Sequence, residues 1–233
     1  MKLSIIIPTF NEEATIEPLI RTILETPFPI DYELIIVDDC STDQTFAIER
    51  RLAEHISQAW IRVVRNRANK GKGACIRRGL KHASGEIVVV QDADLEYNPR
   101  ELPRLLKPFL EGSALAVYGS RFLRHRGRPK GMAWSNYVAN RVLTWLTNRL
   151  YHLHLSDMET CYKMITKDAL ERLRLRAKRF EFEPEVTAKL ATHHIKIVEL
   201  PISYRGRTRQ QGKKIRAKDF FIAVWTLLRH RFR

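Results

Sequence analysis

Gly85-Glu86-Ile87-Val88-Val89-Val90-Gln91-Asp92-Ala93-Asp94-Leu95-Glu96 places an unbroken aliphatic run between a glycine and three closely spaced carboxylates. A short β-branched run bounded in this way predicts a buried strand. Residues two apart on an extended chain point the same way, so the pattern predicts Asp92, Asp94 and Glu96 crowded on one side of the strand end. Crowded carboxylates are unfavourable unless a cation neutralises them. An oxygen-only donor set suits a hard divalent ion, Mg or Mn, that keeps positions open for phosphates.

Outward from this stretch the same alternation recurs. Further strands are predicted over residues 3–7, 33–37, 61–64 and 115–118, with helices between them. Asn11 is expected to cap the first helix, with Glu12 and Glu13 in its first turn. Ser41 or Thr42 is expected to cap the second. A helix is predicted over 71–83, and Pro99 opens another at its first turn. Strand and helix in alternation predict an α/β fold with a mostly parallel, doubly wound sheet. Beyond Arg121 the rhythm changes. Helices are predicted over 133–150, 184–192 and 220–232. Strands are expected over 161–165 and 195–204, the latter at an edge because Pro201 interrupts it.

Charge divides the chain. Residues 1–120 hold 15 basic and 17 acidic side chains, whereas residues 121–233 hold 26 and 9. A half that basic expects polyanions. The chain is read as one domain over 1–233, with a charge-balanced half (1–120) and a basic half (121–233). Cys40, Cys75 and Cys161 form no CxxC pair, which argues against a disulfide framework or zinc site and for a reducing compartment. His152, His154, His193 and His194 lack a third partner at metal spacing and are read as surface or packing residues. No apolar run reaches the roughly 18–20 residues of a membrane span, and the amino-terminal run is too short for a signal peptide. A cytoplasmic protein is expected.

Asp38-Asp39 closes the 33–37 strand, so two acidic strand ends fall on one sheet edge. Such a pair suits a nucleotide, one end taking base or ribose and the other metal and diphosphate. Asn69-Lys70-Gly71-Lys72-Gly73 lacks the P-loop spacing, and no G-x-G-x-x-G occurs. An ordinary NTPase and a dinucleotide oxidoreductase are therefore disfavoured.

The ordered set Ile5-Ile6-Ile7-Pro8-Thr9-Phe10-Asn11-Glu12-Glu13, Val37-Asp38-Asp39, Asn69-Lys70-Gly71-Lys72-Gly73, Asp92-Ala93-Asp94-Leu95, Gly119-Ser120-Arg121, Asp157-Met158-Glu159-Thr160-Cys161-Tyr162-Lys163 and the 201–214 segment resembles family 2 inverting glycosyltransferases of the GT-A fold. The likeness is to the dolichol- or polyprenyl-phosphate mannosyl- and glucosyltransferase group. The resemblance implies a GT-A (Rossmann-like) sheet flanked by helices, with 1–120 as the donor (nucleotide-sugar) half and 121–233 as the acceptor-binding half, a basic carboxyl-terminal acceptor and interface region. It implies that Pro8, Phe10, Glu12, Val37 and Asp39 line the base and ribose pocket and that Lys72 belongs to the donor site. Asp92 and Ala93 would flank the nucleotide sugar, Asp94 with Glu96 would hold Mg or Mn, and Arg121 would contact the sugar-phosphate region. Asp92, Asp94 and Arg121 are thus the catalytic candidates. Position 10 is Phe where the family often has Tyr, and position 96 is Glu where Gln is common. The extra charge at Glu96 should tighten metal binding and make it more pH-dependent. The Ser-Gly-Phe frequent after the Asp157 position in mannose synthases is missing.

The implied reaction is displacement at the anomeric carbon of a GDP- or UDP-sugar by dolichyl or polyprenyl phosphate. A phosphate monoester has its second pKa near ~6, so this nucleophile needs no dedicated general base. It needs cations, and Arg205, Arg207, Arg209, Lys213 and Lys214 form a suitable cluster. By the resemblance, Arg207 and Lys213 lie nearest the family's phosphate-contacting positions. The 220–232 helix mixes Phe220, Phe221, Val224, Trp225, Leu227 and Leu228 with basic flanks, as a helix lying in an anionic membrane interface would. The expected partners are the donor, the lipid phosphate, an anionic membrane surface and a separate membrane-anchoring subunit, with no nucleic acid. Two rival readings are a saccharide-hydroxyl acceptor, with Asp157 or Glu159 as base, and a nucleic-acid-binding protein using the basic half.

Overall fold

The computed structural model describes residues 1–56, 60–124, 127–207 and 217–232. Among these, seven strands form one sheet in the order β3-β2-β1-β4-β6-β5-β7. The strands are β1 (Lys2–Thr9), β2 (Asp31–Asp38), β3 (Ile61–Arg65), β4 (Ile87–Val90), β5 (Ala116–Ser120), β6 (Lys163–Thr166) and β7 (Ile197–Pro201). The helices are α1 (Ile16–Leu24), α2 (Thr45–His55), α3 (Lys72–Leu80), α4 (Leu102–Leu110), α5 (Trp134–Tyr151), α6 (Lys167–Arg172), α7 (Phe182–Thr192) and α8 (Ala217–Arg231). A single 3₁₀ turn, Pro99–Glu101, leads into α4.

Only β6 runs antiparallel to its neighbours, β4 and β5. The other pairings are parallel, so the mostly parallel expectation holds. The aliphatic runs in β1, β2 and β4 are buried because helices cover both faces of a parallel sheet. From β1 the chain steps outward to β2 and β3, then returns past β1 to β4. The carboxyl ends of β1 and β4 therefore flank the point where strand order reverses, which is where open α/β sheets bind ligands. Register aligns Thr9 with Asp38 and Ile6 with Val90, so both acidic strand ends emerge on one edge. Pro201 ends β7 at the sheet edge, as its missing N–H requires. Gly79 lets α3 approach β1 closely, since a Cβ there would lie 2.6 Å from Ile6 Cγ2.

Several local expectations are corrected. Asn11 caps no helix: its φ is 52°, and its Oδ1 accepts from Thr42 N at 2.9 Å. Helix α1 starts only at Ile16, so Glu12 and Glu13 lie in the preceding turn. Neither Ser41 nor Thr42 caps α2; Asp43 Oδ1 accepts from Thr45 N at 3.0 Å instead. The third helix is shorter than its pattern, and β6 starts at Lys163 rather than Cys161. The sequence pattern also missed α6. Finally, Asp92, Asp94 and Glu96 do not share a side by strand alternation. β4 ends at Val90, and a turn with Leu95 at φ 58° gathers the carboxylates instead.

Candidate active site at the switch point

Asp92 and Asp94 stand just beyond β4, and their neighbours come from the far half of the chain. Lys72, in the first turn of α3, lies 2.8 Å from Asp92 Oδ1 and 3.1 Å from Glu183 Oε1. Glu183 also takes Lys163 Nζ at 2.8 Å. Burial and then Asp92, Cys161 and Glu183 act oppositely on Lys72, and the carboxylates win, so its pKa stands well above the ordinary value. Asp92 is lowered although burial acts the other way, because Lys72 holds it charged. Asp94 behaves differently. Burial, then Asp92 and Glu96, push its pKa up to about 7. The turn therefore holds more negative charge than its fixed partners offset.

Arg207 reaches into that excess. Its guanidinium donates to Glu12 Oε2 at 3.0 Å and to Glu12 Oε1 at 3.2 Å, and it lies 3.3 Å from Asp94 Oδ2. Its backbone N–H donates to Glu96 Oε1 at 2.7 Å, while Tyr204 OH donates to Glu96 Oε2 at 2.6 Å. The chain after β7 is thus buttoned onto the chain after β4 and the turn after β1. Tyr97 packs against Tyr162 and Tyr204, and its hydroxyl accepts from Cys161 N at 3.1 Å.

Other candidates have different surroundings. Asp39 accepts from Asn66 Nδ2 (2.7 Å), Lys70 N (2.9 Å) and Gly71 N (2.7 Å). It shapes the loop before α3, where Gly71 at φ 90° lies so close to Lys178 that a Cβ would meet its carbonyl oxygen at 2.6 Å. Val37 is fully buried, Ala93 nearly so, and Pro8 and Phe10 are partly exposed at the end of β1. Arg121 is bound by Asp157 through Nε–Oδ2 and Nη2–Oδ1 contacts of 2.7 Å each. Its guanidinium also lies 5.3 Å from the Tyr204 ring centre. The geometry joins Glu12, Asp92, Asp94, Glu96, Lys72 and Arg207 in one cluster. Arg121 lies over Tyr204, which holds Glu96, and Asp39 fixes the loop that leads into Lys72. Arg205 is exposed, and its backbone N–H donates to Glu96 O at 3.0 Å. Arg209, Lys213 and Lys214 lie outside the described residues.

The sequence profile of the family described as "Glycosyl transferase family 2" matches residues 4–174, most of the chain. The chain belongs to this family. A dolichol-phosphate mannosyltransferase from Pyrococcus furiosus is 30% identical over all of this chain, which spans 63% of that protein's length. A glucosyl-3-phosphoglycerate synthase from Mycobacterium tuberculosis, solved with Mn2+, UDP and phosphoglyceric acid, is 25% identical with a TM-score of 0.72. The alignment covers 99% of this chain and 78% of that one. A mannosyltransferase from Pyrobaculum calidifontis, solved with GDP-Man and Mn2+, is 26% identical with a TM-score of 0.63. There the coverage is 85% of this chain and 54% of the other. These likenesses agree with the expected GT-A fold.

In this family 2 chain the donor set suits a hard cation. Its ligands are oxygens, Asp94 is destabilised by its neighbours, and the Arg207 guanidinium already serves as a stand-in cation between Glu12 and Asp94. Among the described residues no group of three His, Cys, Asp or Glu forms a ready cage. Glu96, expected as a ligand, has both oxygens engaged by Tyr204 and Arg207. The sequence pattern missed Glu183, Lys163, Tyr97 and Tyr204. The one available signal was acidic residues, Glu181 and Glu183, standing inside an otherwise basic half.

Proposed function

We propose that this protein is an inverting hexosyltransferase that moves mannose or glucose from a GDP- or UDP-sugar to dolichyl or polyprenyl phosphate. The observation that carries the reading is Arg207, a cation from the basic half, seated among the carboxylates of the donor half. Two phosphate-bearing substrates must meet in such a site. One would be the diphosphate of the donor, at Asp92 and Asp94. The other would be the acceptor phosphate, approached by the chain after β7, where Arg205, Arg207 and Lys213 are the proposed contacts. The kinship with a dolichol-phosphate mannosyltransferase supports the acceptor class.

The residues divide the chemistry between them. Pro8, Phe10, Glu12, Val37, Asp39 and Ala93 would form the base and ribose side of the donor pocket. Lys72 would hold Asp92 charged and oriented toward the sugar. Arg121, fixed by Asp157, would present a rigid positive wall near the sugar phosphate. Mg or Mn held by Asp94, with Glu96 or Glu12 beside it, would stabilise the leaving diphosphate. The acceptor oxygen would attack as an already dianionic phosphate. Asp157 is fully occupied by Arg121, which weakens it as the base that a hydroxyl acceptor would require. Glu159, pushed by burial to about 7, is the remaining candidate for that alternative.

We also place the 121–233 half at a membrane. Trp134, Val138, Val142 and Trp145 of α5 and Phe221, Ile222 and Trp225 of α8 are exposed large apolar side chains. The helices are tied together by Tyr151 OH donating to Leu227 O at 2.6 Å. An aromatic face with basic neighbours suits an interface or an anchoring subunit. Among the described residues no helix is long and apolar enough to cross a membrane.

The test is turnover of GDP-mannose and UDP-glucose with Mn2+, for the wild type and for Asp94→Asn and Glu159→Gln. The proposal expects Asp94→Asn to lose more than a hundredfold in rate with its melting behaviour intact, and Glu159→Gln to stay near wild type. Near-normal turnover by Asp94→Asn would put the metal elsewhere. Loss confined to Glu159→Gln would favour a hydroxyl acceptor.

A further inference from the structure

A second cluster of cations, sharing no residue with the switch-point cluster, lines a cleft between α7, α8 and the turn that follows α6. The cavity is about 340 Å³, enough for a small-molecule group. Arg174, Arg176 and Arg229 line it together with Lys189 and His230. Among the described residues none of those three guanidinium groups has a carboxylate partner.

The two carboxylates in the cleft are already committed. Glu181 Oε1 accepts from Lys178 N at 2.8 Å and from Arg179 N at 3.2 Å. Glu185 accepts from Arg176 N at 2.9 Å and Ala177 N at 2.6 Å, from Lys189 Nζ at 2.7 Å, and has His230 Nε2 at 3.8 Å. Glu185 therefore organises the cleft, and four permanent cations (Arg174, Arg176, Lys189 and Arg229) against the two carboxylates leave an excess of two positive charges apart from His230. Arg174 sits at φ 47°, an unusual conformation for a side chain of its size. Lys189 Nζ donating to its carbonyl at 3.0 Å holds that turn in place. Three arginines lining one concavity offer planar guanidinium forks that match the oxygens of a phosphate.

The rim supplies a second feature. Trp225 lines the same cavity and is 64% exposed. On the same helix Phe221 and Ile222 lie one turn before it and are exposed too. A phosphate in the cleft would thus stand directly beside an unpartnered apolar face.

We propose that this cleft is an anion site for a phosphate group, distinct from the donor site, with Arg174, Arg176 and Arg229 as its ligating cations. The phosphate is supplied by the headgroup of an anionic lipid or by a soluble phosphate ester. The lipid source rests on the membrane reading above, whereas the soluble source does not, so the two fail separately.

The test uses the whole chain and the variant Arg176→Gln/Arg229→Gln, with its melting temperature as a check on folding. One arm measures flotation with phosphatidylcholine vesicles, with and without phosphatidic acid. The other titrates inorganic phosphate and glycerol 3-phosphate calorimetrically. At ~1 kcal/mol per cation near an anionic surface, two lost cations should weaken partitioning onto the anionic vesicles about 30-fold. Binding to neutral vesicles should not change between wild type and variant. Calorimetric binding that the variant loses, without any vesicle preference, supports the site with a soluble ligand. A variant that matches wild type in both arms overturns the proposal. So does an equal loss on neutral and anionic vesicles. Donor turnover in the variant should remain at the wild-type rate; a parallel fall in both would mean the fold, not the cleft, was damaged. In that case Arg174→Gln alone repeats the comparison.

Discussion

Replacing Arg207 by Met removes the cation seated between Glu12 and Asp94 while keeping an unbranched apolar stem. The side chain is 17% exposed and its partners 8% and 20%, so these contacts are largely shielded from water. Removing one member of a buried ion pair costs about 3–5 kcal/mol. The partial exposure puts the expected loss at the lower end, about 3 kcal/mol. For a chain of this size that lowers Tm by about 6–12 °C. The carboxylates left behind repel one another, so a divalent ion should relieve them more than it does in the wild type, where it must compete with the guanidinium. If that competition is worth about 2–3 kcal/mol, the variant binds Mn2+ about 30–150-fold more tightly without donor. Differential scanning fluorimetry across a Mn2+ series reads the stability, and electron paramagnetic resonance of free Mn2+ reads the affinity. A variant that melts within about 1 °C of wild type and takes up Mn2+ equally would refute the stand-in role.

Three further outcomes follow from other parts of the fold. Glu49 is held protonated by burial up to about 8 against an ordinary value of 4.5, so the folded state binds one more proton than the unfolded state between those values. The stability that Glu49 contributes is then fully present below pH 4.5 and falls by up to ~1.4 kcal/mol per pH unit toward pH 8. In Glu49→Gln, urea titrations should show that slope flattened; an unchanged slope contradicts the assignment. Arg121→Leu leaves Asp157 charged and buried, and should cost about 3–5 kcal/mol in urea unfolding, where a loss under about 1 kcal/mol would contradict the pairing. Gly79→Ala forces a Cβ against Ile6 Cγ2 and should destabilise by about 1–3 kcal/mol despite better helix propensity, and by less in an Ile6→Ala background, where that methyl is gone. A stabilised Gly79→Ala would show that α3 can shift outward freely.

The parts of the site carried by local chemistry were legible in the sequence. An aliphatic run ending in Asp92 and Asp94 is visible as letters, and the strand–helix rhythm implies the sheet edge on which it falls. What depended on distant partners was not. Asn11 looks like a cap because the residues after it look helical. Its side chain turns instead to Thr42, and that contact is invisible to any local window. Lys163 enters the sequence reading only as the end of a family-matching stretch, and Glu183 does not enter it. Both are buried, Glu183 taking Lys72 from the other half and Lys163 from its own. Arg207 was picked out as a phosphate contact on its charge, but its seat between Glu12 and Asp94 depends on how the chain leaves β7. Helix α6 is too short for periodicity to reveal.

The central claim is that a lipid phosphate is the nucleophile. The most direct measurement is the fate of radiolabelled sugar from GDP-mannose or UDP-glucose, with Mn2+, polyprenyl phosphate and a saccharide acceptor present together. The proposed function predicts label in a mild-acid-labile, solvent-extractable lipid phosphate and almost none in the saccharide. Label in the saccharide, with polyprenyl phosphate neither consumed nor required, would contradict it.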